Sequence, residues 1–270
     1  APAANLVVVL AQSFRKIFMG KRRTMAKQSL GMDKLEITVL GGLSVASGGR
    51  ELALSRKNKA VLAALGLAGA DGLARHRLAD LFWGTSGEEQ ARASLRQALA
   101  TLRRALGPSS DLLRADTERV WLATDGVEVD ALVFEHLAEA DDPEAIALYK
   151  GDLLDGFLIK EEAFEAWWRP LRERWRAKAI AMLHAALEAA GDEAGDEVGR
   201  AELAARLLTL EPASEAAHRA LMRGYAAQGR EDAALRQYQT CREMLARELG
   251  VEPAAETIAL HDAIKSKRFR

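Results

Sequence analysis

From Pro143 onward the chain is a succession of runs rich in Ala, Leu, Glu and Arg, broken at Gly191, at Glu211-Pro212, at Gly229 and at Gly250 with Pro253. Ala and the straight-chain residues lose little freedom in a helix, whereas Gly and Pro end one. The punctuation predicts helices over about 143–150, 162–190, 200–210, 214–228, 231–248 and 255–264. Breaks this short turn each helix back on the one before it, and an amphipathic helix buries its apolar face on such a neighbour. This half of the chain is therefore expected to be a set of helical hairpins.

Helices that end at Leu210-Glu-Pro212 or Val251-Glu-Pro253 and pairs that turn at Gly suggest tetratricopeptide-like units, which stack and leave a concave face for a partner. Pro212 and Pro253 lie 41 positions apart, against about 34 in that repeat, so the units are irregular.

Residues 35–131 read differently. Leu35, Ile37 and Val39 alternate with Glu36 and Thr38, the period of a half-buried strand. Leu43-Ser44-Val45 and Glu51-Leu52-Ala53-Leu54, set apart by glycine turns, complete a small antiparallel sheet. Ser55 opens a helix that runs to about Ala68, a second covers 75–83 and stops at Gly84, and a third covers 90–106. Leu112-Leu113-Arg114 and Arg119-Val120-Trp121-Leu122 then flank Asp116-Thr117-Glu118 as a hairpin. Strands, three helices and a closing hairpin make a winged helix. The expected fold class is mainly α with a small β component, a winged helix-turn-helix domain followed by a tetratricopeptide-like helical-hairpin domain.

The third helix carries the chemistry. Leu95, Leu99, Leu102 and Leu106 recur at helical spacing and form one narrow apolar stripe. Arg96 and Arg103 project within about 40° of Arg92, while Ser94, Gln97, Thr101 and Arg104 cover the opposite wall. Arg binds phosphates and guanine edges, and Gln, Ser and Thr hydrogen-bond bases, so such a face suits a DNA major groove. It also suits a solvated surface on which Arg serves helix propensity, and periodicity leaves both readings open.

The block Leu78-Ala-Asp-Leu-Phe-Trp-Gly84, followed by Ala93-Ser-Leu-Arg-Gln-Ala-Leu-Ala-Thr-Leu-Arg-Arg-Ala-Leu106, resembles the OmpR/PhoB-type winged helix. It is particularly similar to the form at the front of SARP-type (antibiotic-regulatory) transcriptional activators. That resemblance implies a phosphate-clamping role for Arg103, and for Trp83 either a contact to the DNA backbone or a core cap. Arg96, Gln97 and Thr101 fall on exposed recognition-helix positions. The wing departs from the family pattern: Thr117-Glu-Arg-Val-Trp121 stands where relatives carry Gly-x-Gly-Tyr. Asp116 and Glu118 would repel phosphate, which speaks against a minor-groove role for Arg114 or Arg119.

The helical half resembles the bacterial transcriptional activator domain that follows the winged helix in the same regulators. Five segments carry the likeness in order: Leu148-Tyr-Lys-Gly-Asp-Leu-Leu154, Leu207-Leu-Thr-Leu-Glu-Pro212, Glu215-Ala-Ala-His-Arg-Ala-Leu-Met222, Ala233-Ala-Leu-Arg-Gln-Tyr238 and Glu248-Leu-Gly-Val-Glu-Pro253. The resemblance implies an acidic helical module that supports dimerisation or contacts RNA polymerase.

Charge is divided along the same lines. The formal net charge of −1 looks unfavourable to nucleic acid, but residues 35–106 hold ten basic and six acidic groups, and 132–270 hold nineteen and twenty-six. A basic half suits a polyanion and an acidic half something else. Residues 1–34 carry seven Lys or Arg and one Asp. They read as a flexible basic tail, as an extension before a start at Met25 or Met32, or as a mitochondrial-type presequence. The domains expected are thus 1–34, 35–131 and 132–270.

Other functions find little support. A composition 49% hydrophobic and 29% charged excludes wholesale disorder, and no apolar run approaches the ~20 residues of a membrane span. Cys241, the single cysteine, is expected as a small buried residue in a cytoplasmic protein. His218 is expected to be packed, Trp167, Trp168 and Trp175 to be core, and the acidic groups at Asp141-Asp142 and at Asp192, Glu193, Asp196 and Glu197 to be solvated loops. No phosphate loop, metal-ligand spacing or paired catalytic carboxylates occur, so neither cofactor nor enzyme activity is expected. The leading expectation is a transcriptional activator that binds double-stranded DNA as a homodimer on repeated sites and recruits RNA polymerase. An interaction adaptor that has lost DNA binding, or the regulatory front end of a longer signalling protein, are the alternatives.

Overall fold

The computed structural model describes residues 34–191 and 197–266; the basic segment 1–33 and the acids Asp192, Glu193 and Asp196 lie outside the described residues. The chain is mainly helical with a small sheet near its start, and it divides into two compact units, which among the described residues comprise 34–178 and 179–266.

In the first unit, β1 (Leu35–Thr38) pairs antiparallel with β2 (Ser44–Ser47), setting Ile37 opposite Val45, and β2 pairs with β3 (Arg50–Glu51). The expected strand over 51–54 ends after Glu51, where the chain leaves the sheet to reach the Ser55 cap. Ser55 Oγ accepts the Asn58 amide at 3.2 Å and starts α1 (Arg56–Leu67), which buries everything from Ala60 to Gly66. A single-turn 3₁₀ segment, Gly69–Asp71, leads through β4 (Leu73–Ala74) to α2 (Arg75–Trp83) and α3 (Glu88–Leu106). A second 3₁₀ segment, Gly107–Leu112, precedes the hairpin of β5 (Leu113–Ala115) and β6 (Arg119–Leu122). β4 adds to β6, giving the order β4-β6-β5.

The first sheet is not purely antiparallel as expected. β7 (Val127–Val129) joins β1 in parallel, with Val129 beside Ile37, and makes the order β3-β2-β1-β7. A three-residue strand has too short a pattern to be read from alternation.

Packing does not break between residues 131 and 132. β7 runs straight into α4 (Asp130–Glu139), and the Asp130 carboxylate accepts the amides of Val39 and Leu40 at 2.8 and 3.1 Å, capping the end of β1. Beyond α5 (Glu144–Leu148), the segment Tyr149–Leu154 returns to the same strand end. There the Gly41 amide donates to the Asp152 carbonyl at 3.0 Å and the Leu154 amide to the Val39 carbonyl at 2.8 Å.

The 28-residue α6 (Glu162–Ala189) crosses the boundary between the units. Phe164, Trp168, Trp175, Ala179, Leu183 and Leu187 are buried along it at helical spacing, so two of the three expected tryptophans are core and Trp167 is half-buried. The second unit continues with α7 (Glu197–Leu210), α8 (Glu215–Ala227), α9 (Glu231–Glu248) and α10 (Ala255–Lys265). Each of these helices packs on the next, and α10 also reaches α8. Met222, Ala234, Leu260 and Ile264 form a core there, with Tyr225 and Tyr238 against it. Cys241 is fully buried and its thiol is pushed up to about 11 by that burial, which makes it inert at neutral pH.

Candidate nucleic-acid interface

α3 divides cleanly into two faces. Ala91, Leu95, Ala98, Leu99, Leu102 and Leu106 are buried. Arg92, Arg96, Gln97, Arg103 and Arg104 are exposed, with Ser94 and Thr101 half-exposed. The middle of the open face carries the small residues Ala93 and Ala100, so a rigid surface can approach the helix backbone between flanking arginines.

The predicted residues separate into three groups. Arg92 and Arg96 line a notch of about 660 Å³ together with Arg75 and His76 from the start of α2 and Thr117, Glu118 and Arg119 from the hairpin turn. Arg103 lines a shallow groove of about 430 Å³ on the hairpin's other flank with Arg114 and Trp121, and reaches the Leu113 carbonyl at 3.4 Å. Ser94, Gln97, Thr101 and Arg104 lie round the far wall of the helix, where Arg104 donates to Thr101 Oγ1 at 3.4 Å. Arg92 is drawn to Glu88 one turn earlier, while Arg96 and Gln97 make no such contact among the described residues. Trp83 closes α2 half-buried: Phe82 meets it edge-on at 5.9 Å, and Lys57 Nζ lies 5.3 Å from its ring centre. That lysine also donates to the Phe82 carbonyl at 2.9 Å and pairs with Glu161.

The turn between β5 and β6 is built on its own acidic residue. Asp116 Oδ1 accepts the amides of Arg119 and Glu118 at 2.7 and 2.8 Å, and these bonds hold its carboxyl below the usual range. It caps the turn, a role Asp takes readily through local side chain–backbone bonding, and it stays exposed and ionised. Arg75 braces the turn from outside, with its amide on the Glu118 carbonyl at 2.8 Å and a guanidinium nitrogen on the Asp116 carbonyl at 3.1 Å. Arg119 is steered toward Asp71 and lies over Trp121, 5.7 Å from the ring centre. The notch holds five basic side chains and one carboxylate, Glu118. Sequence reasoning missed Arg75 and His76 as members of this surface and weighed Arg119 only for a minor-groove role. The basic run Arg75-His76-Arg77 was the available signal, but nothing local ties it to a turn more than forty residues later.

The family model of the bacterial transcriptional activator domain matches residues 129–265. The chain belongs to that family. No curated protein matches the chain. A solved structure of Mycobacterium tuberculosis EmbR, in complex with a low-affinity phosphopeptide, is similar at a TM-score of 0.55 and 22% identity. The likeness covers 87% of this chain and 66% of the EmbR chain, so this chain spans just under two thirds of that protein, and at such identity the likeness concerns the fold. The bacterial transcriptional activator domain match begins within β7 and includes α4, α5 and α6 up to residue 178, all packed in the same unit as α3. The family's domain boundary and the boundary of compact packing are therefore some fifty residues apart.

Among the described residues no helix is long and apolar enough to cross a membrane, and no group of three or more His, Cys, Asp or Glu is placed to hold a metal ion.

Proposed function

We propose that this member of the bacterial transcriptional activator domain family is a sequence-specific DNA-binding activator, with residues 35–131 as a winged helix. α3 enters the major groove. Arg96, Gln97, Thr101 and Ser94 face base edges, and Arg92, Arg103 and Arg104 meet the phosphates that border the groove. Trp83 lies against the backbone at the end of α2. The helical half pairs two copies on directly repeated sites or contacts RNA polymerase, and the reading assigns no cofactor and no catalytic step. A cytoplasmic location goes with it.

The observation that carries this reading is the open face of α3: Arg96 and Gln97, exposed and unpaired among the described residues, beside a notch in which Arg75, His76, Arg92 and Arg119 converge. The hairpin tip presents Arg119 together with the acidic Asp116 and Glu118, so the reading places no phosphate contact there.

Mobility shift against genomic fragments tests the proposal. Arg96→Ala and Arg103→Ala should each weaken binding, and loss of a phosphate contact should lower the salt slope by about one unit. Wild-type protein that binds no promoter fragment, or binds with no dependence on salt, would remove the proposal and favour an interaction adaptor instead.

A further inference from the structure

α2, the helix before the recognition helix, ends against side chains that lie well beyond residue 131. The last carbonyls of a helix have no partner within it and carry partial negative charge, so they take donors from elsewhere. The Phe82 carbonyl receives Lys57 Nζ at 2.9 Å, and the Trp83 carbonyl receives the Ser86 amide at 2.9 Å, which shapes the turn into α3. The Lys57 ammonium also sits 5.3 Å from the Trp83 ring centre. Glu161, just before α6 and largely buried, pairs with that ammonium. Three residues on, the buried Phe164 ring lies 4.8 Å from the ring of Phe82, which is itself fully buried. The same helix is fastened further along, where Arg172 and Arg176 meet Asp152.

We propose that Glu161 and Phe164, which lie within the activator-domain match, are positioning residues for DNA binding. The inference rests on the reading of α3 as the recognition helix. A lysine on a flexible four-carbon stem loses entropy when it is held on one carbonyl, and a carboxylate on its other side confines it there. Packing against Phe164 fixes the place of the Phe82 ring. Together the two contacts set the end of α2, the attitude of Trp83 and the turn that delivers α3. The part of the chain that DNA binding depends on therefore extends into α6. Neither residue is assigned a contact with DNA, and Glu161, as an anion, would repel a phosphate. That gives the test its sign: neutralising an acid near DNA tightens binding unless the task of the acid is to hold Lys57.

Fluorescence anisotropy with a promoter fragment, together with amide exchange at Ser86 in the free chain, tests this. Glu161→Gln should weaken DNA binding about three- to ten-fold and speed exchange at Ser86. Its melting temperature should stay within about 2 °C of wild type, as befits a partly exposed ion pair. Phe164→Leu should weaken binding in the same direction through Phe82. Lys57→Met should weaken binding with the salt slope kept, and adding Glu161→Gln to it should cost nothing further, because the two side chains act as one unit. Glu165→Gln removes the same charge from an acid that pairs with Arg169 one turn on, and should not weaken binding. The proposal is overturned if Glu161→Gln binds DNA as tightly as wild type or more tightly. It is equally overturned if Lys57→Met lowers the salt slope by about one unit, which would make the lysine itself a phosphate contact. Wild-type protein that binds no fragment removes the DNA reading, whereas exchange at Ser86 unchanged by Glu161→Gln removes the positioning role whether or not DNA binds.

Discussion

His218 is a buried histidine with both ring nitrogens in use. Nε2 faces the Pro212 carbonyl at 2.9 Å and must donate, so Nδ1 accepts from the Gln237 amide at 2.7 Å. Burial is the main cause that holds its pKa below the ordinary 6.5. The unfolded chain therefore takes up a proton at a higher pH than the folded one, and stability falls as pH drops below about 6.5 toward the lower folded value. Urea melts at pH 7 and pH 5 should show this loss, and His218→Gln should flatten the dependence between them. Gly72 makes a second demand on a single position. It sits at φ +61, and a Cβ there would overlap the Val120 carbonyl oxygen and lie 2.5 Å from Trp121 Cβ. Gly72→Ala should cost about 2 kcal/mol or more, measured by urea unfolding, because the clash is with strand backbone and cannot be relieved by a side-chain turn.

At the scale of elements, α3 shows how much a helix inherits from its pattern. The four leucines of its predicted stripe are each 0–2% exposed, and the residues expected to face outward do so. Leu102→Ala should destabilise the first unit by about 2–5 kcal/mol in denaturant unfolding, since it removes most of a fully buried side chain and leaves a cavity. The wing shows the opposite case. Its sequence shows the acidic residues, but not that Asp116 caps its own turn and that Arg75 braces that turn from another element. Asp116→Ala should leave the helices intact but speed amide exchange at Glu118 and Arg119, which lose their acceptor.

At the scale of the whole molecule, Asp152 joins parts of the first unit that are distant in sequence. Its carboxylate receives the Tyr149 hydroxyl at 2.8 Å, Arg172 at 2.9 Å and Arg176 at 2.5 Å, and its backbone carbonyl holds Gly41. Burial opposes its ionisation, but the tyrosine and the two guanidiniums outweigh that and hold the carboxyl below the usual range. Asp152→Ala leaves two partly exposed arginines and a buried hydroxyl without their acceptor, and should cost about 2–3 kcal/mol in urea unfolding at pH 7. Its contribution is complete above pH 4 and fades as pH falls through the lower folded value, because the unfolded carboxyl protonates first. The Tyr-Lys-Gly-Asp-Leu-Leu segment was legible as a family feature, but its task as a clasp on β1 was not. Helices, their breaks, the apolar stripe of α3 and the kinship of the helical half all follow from the sequence, because periodicity, propensity and Gly/Pro punctuation are local and survive without partners. The parallel strand β7, the packing of residues 130–178 with the N-terminal sheet and the hairpin turn braced by Arg75 were decided by tertiary structure alone. Each depends on which distant backbone amides and guanidiniums meet a given oxygen, and no spacing along one chain encodes that meeting.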